Sequence, residues 1–179
     1  LVQVNNIPAL GYRIVRAEAS KNGPLKPTDL KAAELPSGEF VLSNDSLKMR
    51  INKKSSCITS LISLPGNTES LAPQACGNQL QTFKDTPKQY DAWNIDPGTL
   101  DKMTPIDAVD SVTLVDQGPV RATVRVVRTW QSSHFTQDIS LDAGADDVEI
   151  ASDIDWHETH VLLKAAFPLA ASGPKATYE

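Results

Sequence analysis

The chain has 179 residues, the length of one ordinary domain, and its 40% hydrophobic and 22% charged residues are typical of a folded globular protein. A formal net charge of −5 provides no basic field for a phosphate backbone, which excludes nucleic acid as a partner. No apolar run approaches the roughly 18 to 20 residues of a membrane span, so a membrane is excluded as well.

The first part of the chain predicts a lead-in strand and a mobile linker. Residues 11–17 have the length of a strand, and the prolines and glycine of residues 20–37 indicate weak order. Residues 28–35 offer a capping residue and helix formers between two prolines, so a short helix and a loop both remain open. We therefore divide the chain into a lead-in segment, residues 1–37, and a sandwich domain, residues 38–179, truncated at its C-terminal end.

Apolar and polar residues alternate through the rest of the chain, which is typical of strands with one buried face. Three alternating runs follow one another through short turns and predict an antiparallel meander, in which Arg121 and Arg125 face Asp138 or Asp142. The chain has about ten predicted strands and little or no helix. Because these strands must stack to cover their apolar faces, we predict an all-β fold, a large antiparallel β-sandwich. The predicted strands are residues 39–43, 47–52, 57–64, 79–83, 109–116, 120–128, 135–141, 148–155 and 162–167.

The two cysteines leave their redox state open. Cys57 and Cys76 can pair in principle. Cys57 lies in an apolar, strand-like run, where buried free thiols are common, and this favours an unpaired cysteine. The cysteines therefore do not indicate a cellular compartment.

Several clusters of polar residues suggest chemistry but lack the required spacing. His157 and His160 are three residues apart in a segment that we interpret as strand, whereas zinc-protease helices place their histidines four apart. His134 lies beside two serines without a nucleophile elbow. We predict no catalytic residue and no metal ligand in this chain. Four acidic residues near the predicted strands are interpreted as a solvated edge: Asp146, Asp147, Asp153 and Asp155.

Residues 90–98 differ from the rest because they combine aromatic and acidic residues without strand alternation. Aromatic rings stack on the apolar faces of sugars, and Asp and Asn side chains hydrogen-bond sugar hydroxyls. Tyr90, Asp91 and Trp93 are therefore candidates for a substrate rim or an interdomain contact. The alternative is a loop anchored by Trp93 and packed on the sandwich.

Three segments of this chain resemble family 38 α-mannosidases. Tyr90-Asp91-Ala92-Trp93-Asn94-Ile95-Asp96 resembles the family's YDAWDID segment, with Asn94 where an acid is common. Residues 78–87 resemble the stretch that leads into it, and residues 154–169 are similar to the family's DWHExHxLLKxxFP stretch. Leu42-Ser43-Asn44-Asp45 resembles the start of the domain, so that the likeness covers the chain from about Phe40 onward.

This resemblance implies a galactose mutarotase-like sandwich in the C-terminal region of a multidomain, retaining α-mannosidase that hydrolyses terminal α-mannosides. The nucleophile and the zinc ligands belong to an N-terminal catalytic domain, so no cofactor is expected in this chain. The implied partners are that catalytic domain and mannose-containing glycans. The chain itself is expected to supply a wall of the site without catalytic groups. The alternative is a stand-alone carbohydrate-binding or adhesion module.

Overall fold

The computed structural model describes residues 2, 4, 7–16, 27–91, 93–171 and 173. Within them the chain is all-β, with three antiparallel sheets and a single 3-10 turn at Thr99–Asp101, as the alternation predicted. No helix in this described part has the length and apolar character that crossing a bilayer requires. The strands are β1 Lys31–Leu35, β2 Glu39–Ser43, β3 Leu47–Asn52, β4 Ile58–Ser63, β5 Thr68–Glu69, β6 Gln79–Lys84, β7 Met103–Pro105, β8 Ser111–Gln117, β9 Arg121–Trp130, β10 Ser133–Asp142, β11 Glu149–Asp155 and β12 Val161–Ala166.

The first sheet runs in the order β1-β2-β3-β4-β5, and β2 and β3 form a hairpin whose turn begins at Asn44-Asp45. The buried Asn44 side chain closes this turn, because its Oδ1 accepts hydrogen bonds from the amides of Ser46 and Leu47. Its Nδ2 donates to the carbonyls of Asp142 and Ala145, at 2.9 and 2.8 Å. One buried amide therefore joins the first sheet to the turn that follows β10.

The helix or loop predicted for residues 28–35 is wrong over β1, which pairs with β2 from Lys31↔Ser43 to Leu35↔Glu39. Partly buried Leu30 and Ala32 pack on the core, so tertiary contacts override a weak local helix preference. The lead-in strand is also wrong for residues 11–16, which form no strand, and residue 17 lies outside the described residues. The division of the chain after residue 37 stays a prediction, and residues 20–26 of the predicted linker are outside the described part.

The second sheet is the predicted meander, in the order β11-β10-β9-β8. Arg125 lies opposite Asp138, with a 2.7 Å ion pair, and Arg121 lies opposite Asp142, with a 2.6 Å ion pair. The hydrogen bond from Arg125 lowers the pKa of Asp138 below its ordinary value. The charge pairing across this ladder is confirmed.

The main core lies between the first and second sheets. Its buried side chains come from alternate positions of β2, β3, β9 and β10, so two sheets face each other through one apolar layer, and the β-sandwich is confirmed. The central members are Phe40, Leu42, Met49, Ile51, Val124, Val126, Ile139 and Leu141.

A second, smaller cluster attaches the third sheet, β12-β6-β7, to the far end of β10. Leu80, Ile106 and Phe135 are its buried members, and Trp156 meets Phe135 edge to face with ring centroids 6.1 Å apart. Phe135, Ile139 and Leu141 lie on the same face of β10 because side chains on a strand alternate. The same face of β10 therefore packs against both the main core and the third sheet. This packing positions the third sheet and its loops relative to the sandwich.

Cys57 and Cys76 form a disulfide, so the preference for a free thiol at Cys57 is wrong. Cys57 comes directly before β4, and Ile58 makes an antiparallel bridge to Gly77, with N–O distances of 3.0 and 2.9 Å in the two directions. This bridge brings the two cysteine Cα atoms within 4.8 Å, a spacing that suits a disulfide. A local apolar pattern could not show this long-range approach.

Glu69 is a structural carboxylate at the edge of the first sheet. Burial alone would raise its pKa, but hydrogen bonds from the Ser60 hydroxyl and from the backbone amides of Leu61, Leu71 and Ser70 outweigh that effect, so the pKa of Glu69 is lowered. The Ser60 and Leu61 donors lie 2.6 and 2.8 Å away. The ionised form of Glu69 therefore stabilises the connection between β4 and the segment after β5.

Candidate rim loop

The candidate residues lie on residues 85–98, the part of the connection between β6 and β7 that precedes the 3-10 turn, which we call the Tyr90 loop. At its root, the amide of Asp85 donates a 2.8 Å hydrogen bond to the carbonyl of His160. His160 belongs to residues 156–160, which connect β11 to β12. Two of the segments that carry the family resemblance, distant in sequence, thus meet at one end of the third sheet.

The Tyr90 loop is held by its own hydrogen bonds. The carbonyl of Tyr90 accepts from the amides of Trp93 and Asn94, each at 2.8 Å. Asp96 accepts from the amide of Lys88 and from the side-chain amide of Asn94, each at 3.0 Å. Tyr90 adopts a φ of 57°, a left-handed conformation that is unusual for a bulky side chain. These bonds give the backbone of the loop a defined conformation.

The aromatic side chains of this loop point into solvent. Trp93 is 92% exposed and Tyr90 is 74% exposed, and Asp91 is exposed beside them. An open depression of about 600 Å³ is lined by Tyr90, Trp93, Gln89 and Asn94. The alternative of a loop anchored by Trp93 is wrong, because this side chain does not pack on the sandwich. That Tyr90, Asp91 and Trp93 contact substrate or a neighbouring domain stays a prediction.

The other polar clusters are placed apart from this loop. His157 lies in the connection between β11 and β12, and its Nε2 is 2.9 Å from Asp155. Because β11 ends at Asp155 and β12 begins at Val161, the interpretation of this segment as strand is wrong for residues 156–160. His134 meets Thr129 at 3.2 Å on neighbouring strands. Among the residues that the structure describes, no three His, Cys, Asp or Glu side chains are grouped to hold a metal ion.

Asp85 is a residue that sequence reasoning missed. Its Oδ1 is buried and accepts no hydrogen bond from the described residues. A buried carboxylate oxygen without a donor is costly, so a donor from outside the described residues is expected at the root of the Tyr90 loop. No pattern in the sequence signals the burial of this oxygen, and the hydrogen bond that joins Asp85 to His160 links residues far apart in the chain.

The chain is a two-layer sandwich with a third sheet that presents an aromatic loop. Its sequence matches the model of a known family. The matching model describes the C-terminal domain of glycosyl hydrolases family 38 and covers residues 42–179. The chain belongs to this family. The resemblance deduced from the Tyr90 loop and from residues 154–169 is thereby confirmed, and the family 38 C-terminal domain is a domain associated with glycosidases.

Curated relatives agree with the family. The chain is 27% identical over 175 residues to alpha-mannosidase 2C1 of Mus musculus and 26% identical over 175 residues to alpha-mannosidase 2C1 of Homo sapiens, in each case over 97% of this chain and 17% of the relative. It is 26% identical over 150 residues to alpha-mannosidase G of Dictyostelium discoideum, over 80% of this chain and 14% of the relative. The family 38 C-terminal domain described here thus spans 17% or less of the length of these relatives.

Proposed function

We propose that this family 38 C-terminal domain forms a wall of the substrate site in a retaining α-mannosidase that hydrolyses terminal α-mannosides. The catalytic groups then belong to a separate N-terminal domain of the same polypeptide. The relatives are alpha-mannosidases by name, and the chain matches a small fraction of their length, which leaves ample chain for such a domain.

The exposure of Trp93 and Tyr90 on an internally hydrogen-bonded loop carries this proposal. Two large aromatic side chains in water lose apolar contacts that a folded domain normally provides, so such a patch marks an interaction site. Their flat rings suit either a sugar face or the surface of a neighbouring domain. Asp85 supports the same interpretation, because its buried Oδ1, which has no hydrogen-bond partner among the described residues, lies at the root of the same loop.

Two hydrogen-bonded carboxylates of this chain, Asp138 and Glu69, do not suit the role of general acid in glycoside hydrolysis. A retaining glycosidase needs a nucleophile and a general acid whose pKa is raised, about 5 to 5.5 Å apart. Hydrogen bonding lowers the pKa of Asp138 and of Glu69, the direction opposite to that required of a general acid. We therefore assign this chain a positioning role.

The zinc ion that the family resemblance implies does not fit the described residues. Zinc in a catalytic site takes three protein ligands from His, Cys, Asp or Glu. His157 and Asp155 lie 2.9 Å apart, but no group of three possible ligands occurs among the described residues. We therefore place the metal in the proposed catalytic domain and derive no step through it here.

A triple substitution in the full-length product of the gene tests the role of the Tyr90 loop. Tyr90→Ala, Asp91→Ala and Trp93→Ala together should lower kcat/KM for an aryl α-mannoside by about tenfold or more, because the substrate loses part of its wall. Lys54→Ala, which removes an exposed polar side chain in the turn after β3, is the control and should leave the rate unchanged. Full activity in the triple variant, with an unaltered melting temperature, would refute the proposed role.

A further inference from the structure

A second groove lies beside the root of the Tyr90 loop and is separate from its exposed aromatic residues. It encloses about 500 Å³, within the range of small-molecule sites. Two aromatic rings contribute to its lining, together with hydroxyl, amide and imidazole groups and a lysine, and none of the described residues that line it is a carboxylate. The side chains that matter for recognition are Phe83, Trp130, Thr104, Gln131, Thr159 and His160.

The groove is built from elements that are joined to one another. Oε1 of Glu158 accepts hydrogen bonds from the amide of Ser132 at 3.0 Å and from the hydroxyl of Ser133 at 2.9 Å. The Ser133 hydroxyl oxygen in turn accepts from the amide of His157 at 2.9 Å. These three bonds join the turn between β9 and β10 to residues 156–160. A groove held in this way needs little ordering when a ligand binds.

Two residues that line the groove have backbone conformations that favour glycine. Trp130 pairs with Ser133, so Gln131 and Ser132 form a two-residue turn, and Gln131 has a φ of 51°. His160 has a φ of 54°. Glycine adopts such conformations at no steric cost, whereas glutamine and histidine do not. Exposed side chains at strained backbone positions are a feature of binding sites.

We propose that this groove is a carbohydrate subsite that holds a hexose unit of a mannose-containing glycan. The partly exposed ring of Trp130, which stacks on Trp156 with centroids 6.1 Å apart, is fixed as a platform for the C–H face of a sugar. Gln131, Thr159 and His160 are exposed and offer both donors and acceptors to its hydroxyl groups. The choice of mannose rests on the proposed function, whereas the choice of a neutral, hydroxyl-rich ligand rests on the lining.

Photoaffinity labelling of the full-length gene product locates the ligand directly. The probe is an α-linked mannotriose that carries a diazirine, and labelled peptides are identified by mass spectrometry. The proposal expects labelling of peptides that contain residues 130–133 and 159–161, suppressed by an excess of free mannotriose. Labelling that is absent from these peptides, or that free mannotriose does not suppress, overturns the proposal.

Two variants and a matched control separate binding from folding. Gln131→Gly and His160→Ala should each reduce groove labelling about fivefold, since each removes hydrogen bonds to the sugar. Gln131→Gly should at the same time raise the melting temperature, because glycine relieves the left-handed backbone. His134→Ala replaces an exposed histidine outside the groove and should leave labelling unchanged. Unchanged labelling in both groove variants overturns the proposal.

Activity and labelling, both measured on the full-length gene product, distinguish this inference from the proposed function. Activity on an aryl α-mannoside without labelling of the groove overturns the subsite and leaves the mannosidase assignment intact. Labelling of the groove without such activity supports a sugar site and contradicts the mannosidase assignment.

Discussion

Removal of the Cys57–Cys76 disulfide should destabilise this domain without unfolding it. The two cysteines are separated by 19 positions, so the bond closes a loop of moderate length in the unfolded chain. For a loop of that size, the chain-entropy relation gives a stabilisation of about 3 kcal/mol at 25 °C. Because domains of this kind have unfolding free energies of about 5 to 15 kcal/mol, such a loss leaves a folded but weakened protein.

The contacts around the disulfide indicate that the fold survives its removal. The bridge between Ile58 and Gly77, with hydrogen bonds of 3.0 and 2.9 Å, remains available, and Ile58 and Leu71 belong to the main core. The double variant Cys57→Ser and Cys76→Ser is therefore expected to keep the far-ultraviolet circular dichroism spectrum of the wild type.

Urea denaturation of the 179-residue chain measures the effect, with circular dichroism as the signal and oxidised wild type as the reference. The double serine variant should lose about 3 kcal/mol of unfolding free energy. Wild type unfolded in the presence of a reductant should lose a similar amount, which controls for any effect of the serines themselves. A loss below about 0.5 kcal/mol in both experiments would contradict the reasoning, because the cross-link would then not constrain the unfolded chain.

Further substitutions test the packing and the electrostatics. Gly77→Ala should destabilise the chain by about 1 to 3 kcal/mol in urea, because the added Cβ would lie 3.2 Å from the Cβ of Ile58; a neutral result would contradict this close approach. Phe135→Ala should cost about 3 to 5 kcal/mol, since it empties the cluster that holds the third sheet; thermal unfolding measures the loss, and a loss under about 1 kcal/mol would be inconsistent with that role. The pKa of Glu69 is lowered, so its contribution to the free energy of unfolding is complete when the pH is above the ordinary pKa of 4.5. That contribution disappears as the pH falls through the lowered pKa of the folded state. Glu69→Gln should therefore lose less stability between pH 7 and pH 3 than wild type does, and an equal loss would count against the assigned hydrogen bonds.

The meander of β8 to β11 was predictable because alternation reports burial directly. The runs around Val124 and Ile139 place every second side chain in the core, and the same period places the arginine and aspartate residues opposite one another. The period also places Arg128 on the buried face, where its guanidinium donates to the carbonyl of Ile106 and to the Ser56 hydroxyl. Hydrophobicity alone would assign that arginine to the surface.

The strands that the sequence analysis missed are those without a pattern of their own. β1 has two adjacent alanines and gains its place only by pairing with β2, and β5 and β7 are too short to show any alternation. The disulfide was missed for a related reason, because Cys57 and Cys76 meet through the bridge at Gly77. Each of these features depends on contacts between residues that are distant in sequence.

The composition of the candidate site was predictable, but its surroundings were not. Aromatic and acidic residues in a loop without strand alternation identified Tyr90, Asp91 and Trp93. The exposure of Trp93, and the buried Asp85 oxygen that finds no partner in the described part of the chain, are properties of the folded molecule alone. The groove at Trp130 also required the structure, because its lining comes from four separate parts of the chain.

The central claim is that this domain belongs to an α-mannosidase and does not perform the chemistry itself. Hydrolysis of an aryl α-mannoside in the presence of added zinc, compared between the 179-residue chain and the full-length product of its gene, tests this most directly. We predict hydrolysis by the full-length protein and none by the chain alone. Hydrolysis by the chain alone, or by neither protein, would contradict the claim.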